Sequence, residues 1–224
     1  MPTPSALDRF LRLMETYNGA VWPLQLVAYA LAFAALALAF RGSRRSGGIV
    51  VGILALFWLW VGIVVNGMFF AAISRAAAAA AVVFVLQGAA LVRAALSAGG
   101  LRFRARADAY GIAGGALVLY ATLGYPAIEH LLGRGFPRSL PFGLVPCPTT
   151  VFTLGVLLWS TTRVPVYVLA IPFLYSLGGV GPVSAGIVED VGLVAAGLVA
   201  TGMILYRDHG RGQSVGSDTA ARTK

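Results

Sequence analysis

Seven stretches of this chain run for sixteen or more residues without a charged side chain, and that pattern constrains the fold more than any other feature. They cover residues 16–40, 46–74, 76–92, 109–128, 139–162, 164–188 and 191–206. A helix needs about 20 apolar residues, with a range of roughly 17–25, to cross a ~30 Å hydrocarbon core. Five stretches reach that length outright; 76–92 is at the lower limit, and 191–206 must borrow residues from before Glu189. Composition points the same way. Hydrophobic residues make up 58% and charged residues 11%, with a mean hydropathy of +0.83, whereas soluble domains carry about 25% charged residues. The expected fold is all-α, an integral membrane helical bundle of about seven transmembrane helices. The number falls to six if the fifth and sixth stretches form a re-entrant pair.

The net charge of +9 would suit nucleic acid, but its distribution follows the apolar stretches instead. Arg41, Arg44 and Arg45 lie in the first loop, and Arg93, Arg102, Arg104 and Arg106 in the third. Arg163 lies in the fifth loop, and Arg207, Arg211, Arg222 and Lys224 follow the last stretch, which makes twelve of the seventeen basic residues. Cytoplasmic loops carry an excess of Lys and Arg, so the N-terminus is expected outside and the C-terminus in the cytoplasm. Sixteen arginines against one lysine, with abundant Ala and Gly, suit a GC-rich bacterial genome. Membrane lipids are then expected partners, nucleic acid is not, and association with a second copy is left open. Ala37-Leu38-Ala39 resembles a signal cleavage site. The long stretch before it and the acidic residues Asp8 and Glu15 are unlike a short basic leader, so a retained span is expected.

Residues 1–19 read as an amphipathic helix on the outer membrane surface. Leu7, Phe10, Leu11 and Met14 recur at helical spacing, with Asp8, Arg9, Arg12 and Glu15 on the other face. Residues 20–206 form one polytopic domain, and 207–224 a disordered cytoplasmic tail.

The fifth stretch contains Pro-Phe-Gly-Leu-Val-Pro-Cys-Pro-Thr-Thr over residues 141–150, with the only cysteine, Cys147, between two prolines. Proline is tolerated in a helix's first turn but not in its interior. A helix beginning at Pro148 and ending before Arg163 would have about fifteen residues and a length of roughly 22 Å, too short to span. Its N-terminus would sit below the outer surface, facing a cavity, where free N–H groups favour anions. The sixth stretch is also expected to be broken, by Pro172 and by Gly178, Gly179, Gly181 and Pro182. Two adjacent interrupted helices are the best sequence pointer to a transport or binding site.

Glu189 and Asp190 begin the last span, and carboxylates inside a membrane are functional by default. Gln25, Asn66, Met68, Glu129 and His130 fall on the same side of the expected topology. The candidate substrate-binding set is therefore Gln25, Asn66, Cys147, Thr149, Thr150, Glu189 and Asp190. Cys147 is the candidate catalytic thiol, and Cys147, His130 and Met68 are soft-metal candidates that no ligand spacing supports. No cofactor is implied. A single cysteine excludes an intramolecular disulfide. With Lys224 as the only lysine, a retinal Schiff base within the spans is excluded. Phosphate-loop and HExxH patterns are absent from the sequence.

Three segments carry a resemblance: Tyr17-Asn18-Gly19-Ala20-Val21-Trp22-Pro23-Leu24-Gln25, the Pro-Cys-Pro-Thr-Thr string with its flanks over 142–155, and Val188-Glu189-Asp190-Val191-Gly192-Leu193. With them the chain is similar to a bacterial membrane family termed domain of unknown function 6064, over about residues 5–206. The resemblance implies a small polytopic inner-membrane protein and brings no activity with it. The leading expectation is a small-solute or ion transporter, or a membrane solute-binding protein, with its site in the outer half of the bundle. A thiol-dependent membrane enzyme using Cys147, and a structural or assembly subunit, are the alternatives.

Overall fold

The computed structural model describes residues 5–71, 74–97 and 99–222, the side chains of Ala6 and of residues 212–222 excepted. It consists of helices α1 (Ala6–Val21), α2 (Leu24–Ala39), α3 (Arg44–Trp60), α4 (Arg75–Leu96), α5 (Ala109–Leu119), α6 (Tyr125–Leu131), α7 (Pro146–Leu158), α8 (Val166–Gly178), α9 (Val180–Ser184) and α10 (Asp190–Arg222). Wider π-helical turns over Val61–Phe70 and Tyr120–Gly124 continue α3 and join α5 to α6. Among the described residues there is no strand, only an isolated bridge between Phe103 and Ser160.

Among the described residues, five helices are long and apolar enough to cross a membrane: Arg44–Phe70, Arg75–Leu96, Ala109–Leu131, Val166–Ser184 and Asp190–Arg211. A sixth is obtained if α1 and α2 are taken as one path bent by 80°. This revises the seven expected from apolar runs, and prolines explain both differences. Pro23 disfavours helical backbone at the residue before it, and Trp22 is extended (φ −64°, ψ 133°), so the first stretch splits there. In the fifth stretch α7 has thirteen residues, about 20 Å at ~1.5 Å per residue.

The short α7 is the centre of the molecule. Every residue from Cys147 to Leu158 is buried, against α3, α5, α8 and α10. Its closest neighbour is reached through glycines. A Cβ on Gly114 would lie 2.7 Å from the Gly155 carbonyl oxygen, and one on Gly155 2.9 Å from that of Gly114. Small residues at helix crossings allow this backbone approach. Trp58 of α3 donates to the Thr153 hydroxyl at 3.0 Å and Trp159 donates to the Gly111 carbonyl at 3.0 Å, holding α7 at its middle and at its C-terminal end.

Pro126 and Pro172 lie inside helical paths, and each frees a carbonyl four residues earlier. Gln87 of α4 donates to the Val168 carbonyl at 3.0 Å, the one orphaned by Pro172. Tyr29 of α2 donates to the Thr122 carbonyl at 2.9 Å, the one orphaned by Pro126. A buried backbone group without a partner is costly, so a donor from another helix completes each break.

Helix α1 begins with a reciprocal cap in which the Ser5 hydroxyl accepts from the Asp8 amide at 3.1 Å, and the Asp8 carboxylate from the Ser5 amide at 3.2 Å. Its apolar face is turned onto the bundle: Leu11, Met14, Tyr17 and Val21 are buried. The Tyr17 hydroxyl accepts from Trp60 at 2.8 Å and donates to the Leu144 carbonyl at 2.8 Å. Asn18 donates to the Pro137 and Ser139 carbonyls at 2.6 and 2.7 Å, so α1 roofs the segment that leads into α7.

The opposite end is closed. Around the Phe103–Ser160 bridge, Arg104 donates its amide to Trp159 at 2.9 Å and Thr161 donates its amide to Arg102 at 2.8 Å. Helix α10 does not stop at Tyr206. Arg207 donates to the Leu158 carbonyl at 2.9 Å and the Asp208 carboxylate accepts from the Val164 amide at 2.8 Å. These bonds tie the first residues after Tyr206 to the bundle, and the backbone is helical to Arg222.

Candidate functional site

Both prolines of the Pro-Cys-Pro string fall in the first turn of α7, which starts at Pro146 rather than Pro148. Neither has an N–H, so of those three residues only Cys147 can present one. The expected anion-binding helix end is therefore largely dismantled by its own sequence. The groups that do face Cys147 are a carboxylate and a phenol. Its thiol donates to Asp190 Oδ2 at 3.3 Å and lies 3.2 Å from the Tyr175 hydroxyl. Tyr125 donates to Asp190 Oδ1 at 2.9 Å. A thiol bonded to a carboxylate is a donor, not a prepared nucleophile, and no imidazole is part of this network.

These groups form the floor of a cavity of about 340 Å³. Its walls come from α1 (Leu7, Phe10, Met14), the Val61–Phe70 turn (Val65, Asn66, Phe70), Leu140 and Val145, and Pro182, Ala185 and Ile187 around α9. Among the described residues the polar lining is limited to Asn66, Cys147, Tyr175 and Asp190, and none that lines the cavity is basic. The volume lies at the low end of the roughly 300–1,000 Å³ typical of ligand sites.

Beside this floor lies a second polar group that sequence reasoning did not assemble. Arg134 donates to Glu189 Oε2 at 2.7 Å, with both side chains buried, and also to the Gly186 carbonyl at 3.3 Å. Tyr120 donates to the Glu189 carbonyl at 2.7 Å, and a Cβ on Gly192 would overlap the Tyr120 ring. Glu129 accepts the Leu140 amide at 2.6 Å. Glu129 Oε2 and Glu189 Oε1 have no hydrogen-bond partner among the described residues.

The sequence candidates thus separate. Cys147, Asp190 and Asn66 line the cavity, although the Asn66 amide is engaged with the Val61 carbonyl at 2.9 Å. Glu189 belongs to the ion pair next to it. Thr149 and Thr150 turn their hydroxyls back to the Val145 and Pro146 carbonyls at 2.6 and 2.7 Å, and neither is in the lining. Gln25 is buried under α1 and donates to the Asn18 carbonyl at 3.2 Å. Met68 is 67% exposed on a helix flank and His130 is exposed in a shallow depression with Gly133 and Arg138, so neither accompanies Cys147. No group of three or more His, Cys, Asp or Glu with metal-binding geometry occurs among the described residues.

Fold and site together define an all-helical protein with five or six long apolar helices around a short buried one, and a cavity at one end. The chain belongs to the family of unknown function DUF6064, whose model matches residues 7–214. No curated protein and no solved structure matches it.

Proposed function

We propose that this is a multi-pass membrane protein of the bacterial inner membrane that binds a small, largely apolar solute in the α1-roofed cavity, in a transport or solute-binding role. The observation that carries this reading is the cavity itself. An apolar chamber with a few convergent polar groups is the usual form of a ligand site. Here it ends on the buried Cys147–Tyr175–Asp190 network, and the other end of the bundle is closed by the bonds around Phe103, Ser160 and Asp208. With the basic loops in the cytoplasm, the cavity faces outward and α1 covers its mouth. Short and interrupted helices beside it match the architecture of transport sites.

The test is native mass spectrometry of the protein extracted from its own membranes. A retained small molecule is expected, and it should be lost from Ala185→Trp. Ala185 is exposed at the cavity edge, so the indole fills the mouth without repacking the core. Equal retention by both proteins, or none by either, would oppose the reading.

A further inference from the structure

We propose that the cavity takes an amphiphilic cation, a molecule with an apolar body and one ammonium-type group, with the charge seated on the Cys147–Tyr175–Asp190 floor. This rests on the reading of the cavity as a ligand site and names the class of ligand.

Charge balance is the first argument. The hydrogen bonds Asp190 receives come from Tyr125 and Cys147, both neutral donors. The buried guanidinium nearby, Arg134, is held by Glu189. Glu129 contributes a third carboxyl, satisfied on one oxygen by a backbone amide. Three acidic side chains are thus buried around one guanidinium, and two of their oxygens lack partners among the described residues. A buried charge is stable only when paired or neutralised.

The lining gives the second argument. An anion would meet Asp190 with no basic side chain in the wall. A hard metal ion such as Ca2+ or Mg2+ would meet mostly Leu, Phe, Met, Val, Ile and Pro, which offer it no oxygen side-chain ligands. Phe10, Phe70 and Tyr175 add aromatic surface, which attracts cations. Asp190 is itself in the lining and its Oδ2 accepts from the Cys147 thiol at 3.3 Å, so a cation seated at Cys147 stands beside that carboxylate. At that depth electrostatic attraction is several-fold stronger than in water. Size fits an organic cation: about 340 Å³ is the share of roughly eleven waters at ~30 Å³ each, enough for an alkyl or small aromatic ammonium ion.

The probes are n-octylamine and n-octanol, matched in chain and differing in charge. They are added to the full chain in lipid nanodiscs, and tryptophan-fluorescence melting is followed. Octylamine is expected to give the same rise in melting temperature as octanol at about a tenth of the concentration. Asp190→Asn should remove that preference while the response to octanol stays, and Ala185→Trp should remove the response to both. Equal response to the two probes, abolished by Ala185→Trp, would overturn the cation assignment and leave the cavity reading standing. Responses unaffected by Ala185→Trp would overturn the cavity reading itself. An amine preference that survives in Asp190→Asn would place its origin in the lipid and also overturn the assignment. If Asp190→Asn does not fold, protection of Cys147 in the unaltered chain against N-ethylmaleimide decides. Protection must appear at about tenfold lower octylamine than octanol, and equal concentrations reject the proposal.

Discussion

Arg134 shows how a single side chain changes the meaning of another. The sequence marks Glu189 as a membrane carboxylate available for proton or cation work. In the structure it is one half of a buried ion pair at 2.7 Å. Removing one partner of such a pair leaves an uncompensated charge and costs about 3–5 kcal/mol, while removing both for apolar residues is often neutral. Arg134→Met is therefore expected to lower unfolding stability in detergent by that amount, and Arg134→Met with Glu189→Leu to recover most of it. Equal losses in single and double variants would show that the pair does not act as a unit. The threonines are a second case. Because the Thr149 and Thr150 hydroxyls bond within α7, Thr150→Val should leave ligand retention by native mass spectrometry unchanged; a loss would put the hydroxyl in the site. Cys147 and Asp190, which both line the cavity, were legible as candidates because a lone cysteine between prolines and a carboxylate in an apolar run are conspicuous. Tyr175 and Tyr125 were not, since a tyrosine in an apolar helix reads equally as packing. Arg134 was legible in principle: a carboxylate at that depth demands a cation from the same side, and few were available.

At the scale of elements, helix positions were written in the apolar stretches, but their lengths were decided by proline. The first turn of α7 absorbs two prolines with little loss, and that fixes a thirteen-residue helix, close to the short, non-spanning helix expected from the sequence. Pro172 and Pro126 are retained inside helical paths because Gln87 and Tyr29 supply the missing donors. Which helix supplies the donor depends on packing, which periodicity does not encode. Gln87→Leu should therefore cost about 1–3 kcal/mol, the penalty of an unpaired buried carbonyl. In a Pro172→Ala background, where an amide is restored four residues on from Val168, the same substitution should cost clearly less. A cost independent of residue 172 would assign Gln87 another role. The α5–α7 crossing makes a parallel demand. Gly155→Val drives a side chain into the Gly114 backbone, and overpacking of this kind costs about 1–3 kcal/mol; a neutral outcome in thermal unfolding would mean the two helices separate easily.

On the scale of the whole molecule, the two ends differ. One is held shut by a bridge, backbone bonds and the Arg207–Asp208 group. The other holds the cavity, the buried acids and the α1 roof. The amphipathic pattern of α1 was visible in the sequence, whereas the surface its apolar face covers was not: lipid and a bundle mouth make the same demand on periodicity. The central claim is that Cys147 lies at the floor of a cavity facing the outside of the cell. As the chain's only cysteine, it can be interrogated directly, by treating intact cells with a membrane-impermeant maleimide and following modification of the chain by mass. Modification of Cys147 from the outer face is expected, and it should be slowed in Ala185→Trp. Modification only after the cytoplasmic face is exposed, or at a rate indifferent to Ala185→Trp, would contradict the claim.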